Sequence, residues 1–141
     1  MVPGPDRRAG WENALVDAGR QADASLVAEG DFTRAGGAAA TRTLLAGRPD
    51  IDAVFVASDL MALGALDALK VVGRRVPEDV AVVGFDDSEL ARSAEPPLTT
   101  VRQPIERLGS EMARLLLAQL DEGAEPTGVV LRTELVVRRS S

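Results

Sequence analysis

The apolar positions of the chain follow two rhythms that alternate along it. After the VPGP turn, Ala9, Trp11, Leu15 and Ala18 form one side of a short helix, with Asp6 at the N-cap position and Gly19 as its stop. SLVAEGDFT then predicts a short strand ending at Gly30, and Thr33 is placed to cap a second helix through RAGGAAATRTLLAG. Gly36 and Gly37 each weaken that helix by about 1 kcal/mol relative to alanine, so packing against a neighbour has to hold it. RPDIDAVFVAS reads as a turn and a buried strand over 51–57. Asp59 is placed to cap the next helix, LMALGALDALKVVG, in which Leu60, Leu63, Leu66 and Leu69 leave little polar face. Such a helix is covered on more than one side. RRVPEDV turns the chain into an apolar strand over 80–85.

Helix and strand thus alternate three times, the pattern of a parallel sheet with right-handed crossovers. The pattern then breaks. SELARSAEPPLTTVRQP is too rich in turn and β residues for another crossover helix, and Pro96 with Pro97 excludes a central strand there. LTTV predicts a short strand leading to Pro104, which suits the first turn of a long helix bearing Ile105, Leu108, Met112, Leu115, Leu116 and Leu120. DEGAEPTG is expected to be a loop and VVLRTELVVRR a final strand. The predicted fold class is α/β: a parallel sheet with flanking helices.

Composition narrows the chemistry. At 141 residues the chain has the length of one ordinary domain. Its net charge of -6 argues against holding a nucleic acid by itself, since phosphate neutralisation needs a basic surface. The lack of cysteine removes disulfides and thiolate metal sites, and the lack of histidine removes the usual general base and zinc ligand. Neither a metal nor a cofactor is expected. Lys70 is the single lysine, and with no tyrosine, three Phe and one Trp, stacking surfaces for single-stranded nucleic acid are scarce. The N-terminus carries no apolar signal-like run, and no stretch reaches the length of a membrane span, so a cytoplasmic protein without membrane contact is expected.

Neither phosphate-binding glycine motif, G-x-G-x-x-G or G-x-x-x-x-G-K-[ST], follows any strand. Paired acids do follow one: VAVVGFDDSEL runs from an apolar strand into Asp86 and Asp87. They read either as a polar exit from the core or as part of a ligand site, because open α/β sheets bind ligands outside the carboxyl ends of their strands. Adjacent residues of an extended segment point to opposite faces, so the two acids do not flank one scissile bond as a hydrolase requires. Other polar or aromatic residues fall beyond the preceding strands: Asp31 and Phe32 after the first, Ser58 and Asp59 after the second. A ring, a hydroxyl and a carboxylate on one sheet edge suit the apolar face and hydroxyl rim of a sugar or similar polyol. Phe32 could equally plug the following helix, and Asp59 fits a helix cap better than a ligand contact.

EGDFT, DAVFVASDLMALGALDALKVVGRRVPEDVAVVGFDDSELA and PPLTTVRQPIERLGSEMARLLLAQL resemble, in order and spacing, the C-terminal part of the lactose-repressor and galactose-repressor (LacI/GalR) family of bacterial transcription regulators. The resemblance runs from Gly4 to Arg138. It implies one lobe of a type I periplasmic-binding-protein-like domain that holds a small effector, without catalysis, in a regulator that pairs as a homodimer. Operator DNA would be bound only through an N-terminal headpiece not found here. By the same resemblance Asp86 accepts hydrogen bonds from effector hydroxyls, Phe32 stacks on the effector and Arg7 of RRAGW contacts it. Strand alternation aims Asp87 away from Asp86, and Asp87 is then expected to be only a turn residue. Ser58 stands where many members have Asn, which changes the donor chemistry at that point. The family's headpiece, hinge helix, N-terminal lobe and first strand of the C-terminal lobe are missing, so the chain resembles a truncated regulator. Residues 98–121 would belong to the absent lobe. A sugar-binding component of an ABC importer shares the fold and is the second reading; a carboxylate-dependent enzyme is the third.

Overall fold

The computed structural model describes residues 3–120 and 128–141. Most of the expected DEGAEPTG loop lies outside the described residues. In chain order the elements are α1 (Pro3–Asp17), a 3-10 turn (Ala24–Leu26), α2 (Arg34–Gly47), β1 (Ala53–Phe55), α3 (Asp59–Val71) and β2 (Ala81–Asp86). They continue with α4 (Glu89–Ser93), β3 (Thr99–Arg102), α5 (Ile105–Leu120) and β4 (Glu134–Val136). The sheet order is β1-β2-β3-β4, with β1, β2 and β3 parallel and β4 antiparallel to β3. The class is α/β, as the alternation of helix and strand predicts. No helix among the described residues is long and apolar enough to cross a membrane.

The core lies on one face of the sheet. Alternation along β2 buries Val82 and Gly84 on that face, where Val80, Val82 and Leu98 meet Met61, Ala62, Ala65, Leu66 and Leu69 of α3. Helix α3 is covered on its other side by α2, which explains its nearly all-apolar surface. Glycines set how closely the two helices approach. A Cβ at Gly37 would overlap the Met61 carbonyl oxygen, and one at Gly64 would overlap the Arg34 carbonyl oxygen and lie 2.7 Å from the Ala38 nitrogen. The glycine that weakens α2 locally is therefore the condition for its packing.

A strap, residues 138–140, closes the sheet beside β2 at the level where β3 has not yet begun. Val82 N–H donates to the Ser140 carbonyl (2.7 Å), Ser140 Oγ donates to the Val82 carbonyl (2.6 Å), and Thr99 N–H donates to Ser140 Oγ (2.8 Å). Ser140 is fully buried by these contacts.

Several local expectations need correction. Helix α1 starts at Pro3, so Asp6 is not its cap but an acid of its first turn, favourable to the helix dipole. The cap of α3 is Ser58, whose Oγ accepts from the Met61 N–H (3.3 Å), and Asp59 is the first helical residue. Residues 27–30 do not form a strand. Val27 has extended backbone (φ -118, ψ 128), but β1 is the edge strand of the sheet and does not pair with this segment, so propensity supplies a conformation without a ladder. Residues 98–102, expected with an absent lobe, are instead part of this sheet: β3 pairs with β2, and Leu98, Thr99 and Thr100 are buried. Helix α5 differs from them, for none of its residues is buried.

Candidate functional site

Because β1, β2 and β3 are parallel, their carboxyl ends open on one edge, and three of the four expected ligand residues converge there. Arg7 reaches across from α1. Its Nη1 donates to the Ala57 carbonyl (2.6 Å), and its guanidinium lies 3.9 Å from the centroid of the Phe85 ring. It is thus held between the residue before Ser58 and the residue before Asp86, with a cation–π contact fixing its plane. Ser58 is buried, and while its oxygen caps α3 its hydroxyl proton remains a donor.

Asp86 ends β2 with φ 123, a backbone conformation that residues with a Cβ rarely adopt, and Asp87 follows at φ 56. Two successive positive φ values, rather than strand alternation, send the neighbouring carboxylates to different surroundings. Asp86 Oδ1 accepts from Gln103 Nε2 (2.8 Å). Burial pushes the Asp86 carboxyl up from its ordinary value, and the Asp59 carboxylate adds to this. Gln103, the charge of Arg7 and the Asp59 backbone N–H act in the opposite sense, and burial prevails. A carboxylate kept costly at the mouth of a sheet is poised to gain from further donors.

Asp87 is no mere turn residue. Its side chain is 1% exposed, accepts from Arg102 Nε (2.6 Å) and from Arg138 Nη2, and lies 3.8 Å from Arg92. Burial alone would raise its carboxyl, but the two hydrogen-bonded arginines hold it below the usual carboxylate range. It is the centre of a charge cluster that ties β2, α4, β3 and the strap together. Asp59 also has a part that helix spacing did not indicate. Oδ2 accepts from Ser88 N–H (2.7 Å) and Ser88 Oγ (3.0 Å), and Oδ1 accepts from Thr100 Oγ1 (2.6 Å). This buried carboxylate joins the start of α3 to the loop after β2 and to β3.

Phe32 lies in the turn that precedes α2. It has φ 62 and is 41% exposed, in a turn tied by Thr33 N–H and Oγ1 to Asp31 Oδ1 (3.0 and 2.6 Å). Its turn abuts the start of α3, because a Cβ at Gly30 would run into the Met61 side chain. Thr33 caps α2 as expected, accepting from Gly36 N–H (2.9 Å).

Beneath the edge, a depression of about 560 Å³ between α1 and the sheet is lined by Arg7, Trp11, Phe55, Phe85 and Val101, among others. No group of acids among the described residues could hold a metal ion. The arrangement offers an acceptor, a hydroxyl, a guanidinium and aromatic rings, the set that binds a hydroxyl-rich ligand. Gln103 is the edge residue that sequence reasoning missed. It follows β3 as Ser58 follows β1, so the rule that pointed to Asp86 would have found it had β3 been counted in this sheet.

The family model described as a periplasmic binding protein-like domain matches residues 2–141. The HTH-type transcriptional regulator CelR of Thermobifida fusca is 56% identical over 141 residues, which cover 99% of this chain and 42% of that protein. The HTH-type transcriptional repressor CytR of Escherichia coli is 40% identical over 136 residues, covering 96% of this chain and 40% of the repressor. Among solved structures, a transcriptional regulator CelR-cellobiose complex superposes with a TM-score of 0.96 at 56% identity, covering 100% of this chain and 43% of that one. Transcription regulator CcpA of Lactococcus lactis gives 0.87 at 33% identity, covering 98% of this chain and 51% of that one. The chain spans about two fifths of the length of these curated relatives.

Proposed function

The chain belongs to the periplasmic-binding-protein-like domain family, in the form carried by LacI-type transcription regulators, and on that premise we propose that it is the part of such a regulator that binds a sugar effector. The carrying observation is the convergence of Arg7, Ser58 and Asp86 at one end of the parallel sheet. In this reading Asp86 accepts from vicinal hydroxyls, Arg7 and Ser58 donate, and Phe32 supplies a ring for the apolar face of a pyranose. The relative solved with cellobiose makes a gluco-disaccharide the effector to try first. Binding would shift the arrangement of lobes that sets operator affinity in the whole protein, with DNA contacted by a headpiece outside this acidic chain. The protein would act in the cytoplasm. Relatives that are transcription regulators favour this reading over the importer component and over the carboxylate enzyme.

The test is Asp86→Asn, titrated calorimetrically with cellobiose. Affinity is expected to fall by about 1.5 to 3 kcal/mol, as for loss of hydrogen bonds to a charged group. The fold should not suffer. The folded-state pKa of Asp86 is raised, so the charged form opposes folding above that pKa, and neutral asparagine removes the opposition. A variant that melts no lower yet binds more weakly marks a functional site; unchanged affinity returns Asp86 to the role of a polar strand exit. Binding to the unaltered chain should weaken with acid at a pH above that of an ordinary carboxylate.

We also propose that the protein is a homodimer and that residues 105–120 pack with a lobe outside this chain. The support is exposed apolar surface: Met112 is 61%, Leu116 61% and Leu117 65% exposed on α5, and Val71 is 83% exposed at the end of α3. Sedimentation of the chain at high concentration should show dimers or larger species, and a clean monomer would contradict this.

A further inference from the structure

We propose that Asp59 is a positioning residue of the effector site: its buried carboxylate holds the corner 86–88 in the conformation that turns Asp86 toward a ligand. The proposal rests on the reading of Asp86 as the effector's acceptor. At 1% exposure Asp59 is closed off from any ligand, so it acts through the corner alone. That corner needs holding. Asp86 and Asp87 have φ 123 and 56, and such conformations persist only where the surroundings fix them.

The side chain of Asp87 is tied to Arg102 and Arg138, but the backbone of the corner is tied to Asp59. Oδ2 accepts from Ser88 N–H (2.7 Å) and Ser88 Oγ (3.0 Å), which fixes the residue after the two with positive φ. Oδ1 accepts from Thr100 Oγ1 (2.6 Å), and that oxygen in turn accepts from Asp87 N–H (3.4 Å). One carboxylate thus governs two consecutive peptide N–H groups, one directly and one through a hydroxyl whose proton it orients. Its seat is specific. Gly84 pairs in register with Thr100, and a Cβ on Gly84 would lie 2.6 Å from Asp59 Oδ1, so the bare backbone of β2 makes the room. The cap of α3 is Ser58, so the three side-chain bonds of Asp59 serve the corner and not the helix end.

The test uses the full chain with Asp59→Asn, Thr100→Val and Thr100→Ser. Cellobiose affinity is measured by calorimetry on folded protein, and the corner is followed without ligand by NMR, through the φ-dependent backbone couplings of Asp86 and Asp87. An amide has one acceptor oxygen where the carboxylate has two, so Asp59→Asn sets an NH₂ against one of its donors. Valine removes the Thr100 hydroxyl, and serine keeps it while giving up a methyl group. Asp59→Asn and Thr100→Val should each shift the couplings and lower cellobiose affinity about tenfold. Thr100→Ser should melt lower yet bind close to the parent. A purely structural role would lower melting temperatures and leave the affinity of the folded protein untouched. Loss of the Asp59 charge by itself favours ionised Asp86, so weaker binding in Asp59→Asn reports geometry. If Asp59→Asn does not fold, the two Thr100 variants decide alone. Unmoved couplings in Thr100→Val overturn the proposal whatever the sugar does. Moved couplings with undiminished affinity also overturn it, as does a Thr100→Ser protein that binds as weakly as Thr100→Val. Moved couplings in a protein whose unaltered form binds no cellobiose overturn the sugar reading itself, and leave Asp59 as the group that sets the Asp86 corner.

Discussion

Asp87→Ala is expected to cost about 3 to 5 kcal/mol of folding stability, the cost of leaving buried charge without its partner. That is a large part of what an ordinary domain possesses. The reason is the company the carboxylate keeps. Arg138, with a side chain 15% exposed, and Arg102 both donate to it, and removing it leaves the Arg138 guanidinium facing the Leu98 carbonyl (2.7 Å) without a counter-charge. Urea denaturation of the variant beside Asp86→Asn makes the contrast direct. If both acids were only a polar exit from the core, the midpoints would be nearly equal, whereas the structure requires them to separate widely. The pH dependence has a definite sign. The folded-state pKa of Asp87 is lowered, so its stabilisation is complete above the unfolded carboxylate range and disappears as pH falls through the lower folded value. The unaltered chain should lose stability over that acid window, and Asp87→Ala should lack this component.

Gly64→Ala is expected to destabilise by about 1 to 3 kcal/mol although alanine is the better helix former, because overpacking against backbone outweighs propensity. The new methyl group would overlap the Arg34 carbonyl oxygen and come within 2.7 Å of the Ala38 nitrogen. Neither atom belongs to a flexible side chain that could swing aside, so α2 and α3 have to separate. Gly109→Ala in α5 is the control. A Cβ there meets nothing within 4 Å, and the change should stabilise by up to about 1 kcal/mol. Thermal denaturation of the two variants gives shifts of opposite sign; a Gly64→Ala protein as stable as its parent would show that the two helices tolerate a wider spacing.

The parts of this fold that show in the sequence are those set by local rules. The bounds of α2 follow from the Thr33 cap and the apolar spacing, and the 51–57 and 80–85 runs stand where β1 and β2 form, although β1, a short edge strand, is not buried as its apolar run predicts. What failed depended on partners distant in the chain. Residues 27–30 have a strand's composition, but composition does not say whether a neighbouring strand exists. Asp59 and Ser58 both suit a helix cap, and only the positions of Ser88 and Thr100 decide which of the two is drawn away. Within the candidate site, Asp86 was visible because it ends an apolar run. The weight on Asp87 was invisible, since Arg102 and Arg138 lie 15 and 51 residues away.

The strap also puts a clock into synthesis. Ser140 closes the backbone of Val82 across 58 positions of chain. At about 5–20 residues per second, β2 emerges roughly 3 to 12 s before the residue that completes its hydrogen bonding. Through that interval the slot beside Val82 presents an unpaired N–H and C=O in an apolar strand, the kind of edge that recruits foreign strands. Ser140→Ala keeps the backbone bond to the Val82 N–H but loses the hydroxyl that donates to the Val82 carbonyl, leaving the slot less firmly closed once residue 140 is made. It is expected to lower the yield of soluble chain more than a change of equal thermodynamic cost in α2, as comparison of soluble and aggregated fractions after expression would reveal.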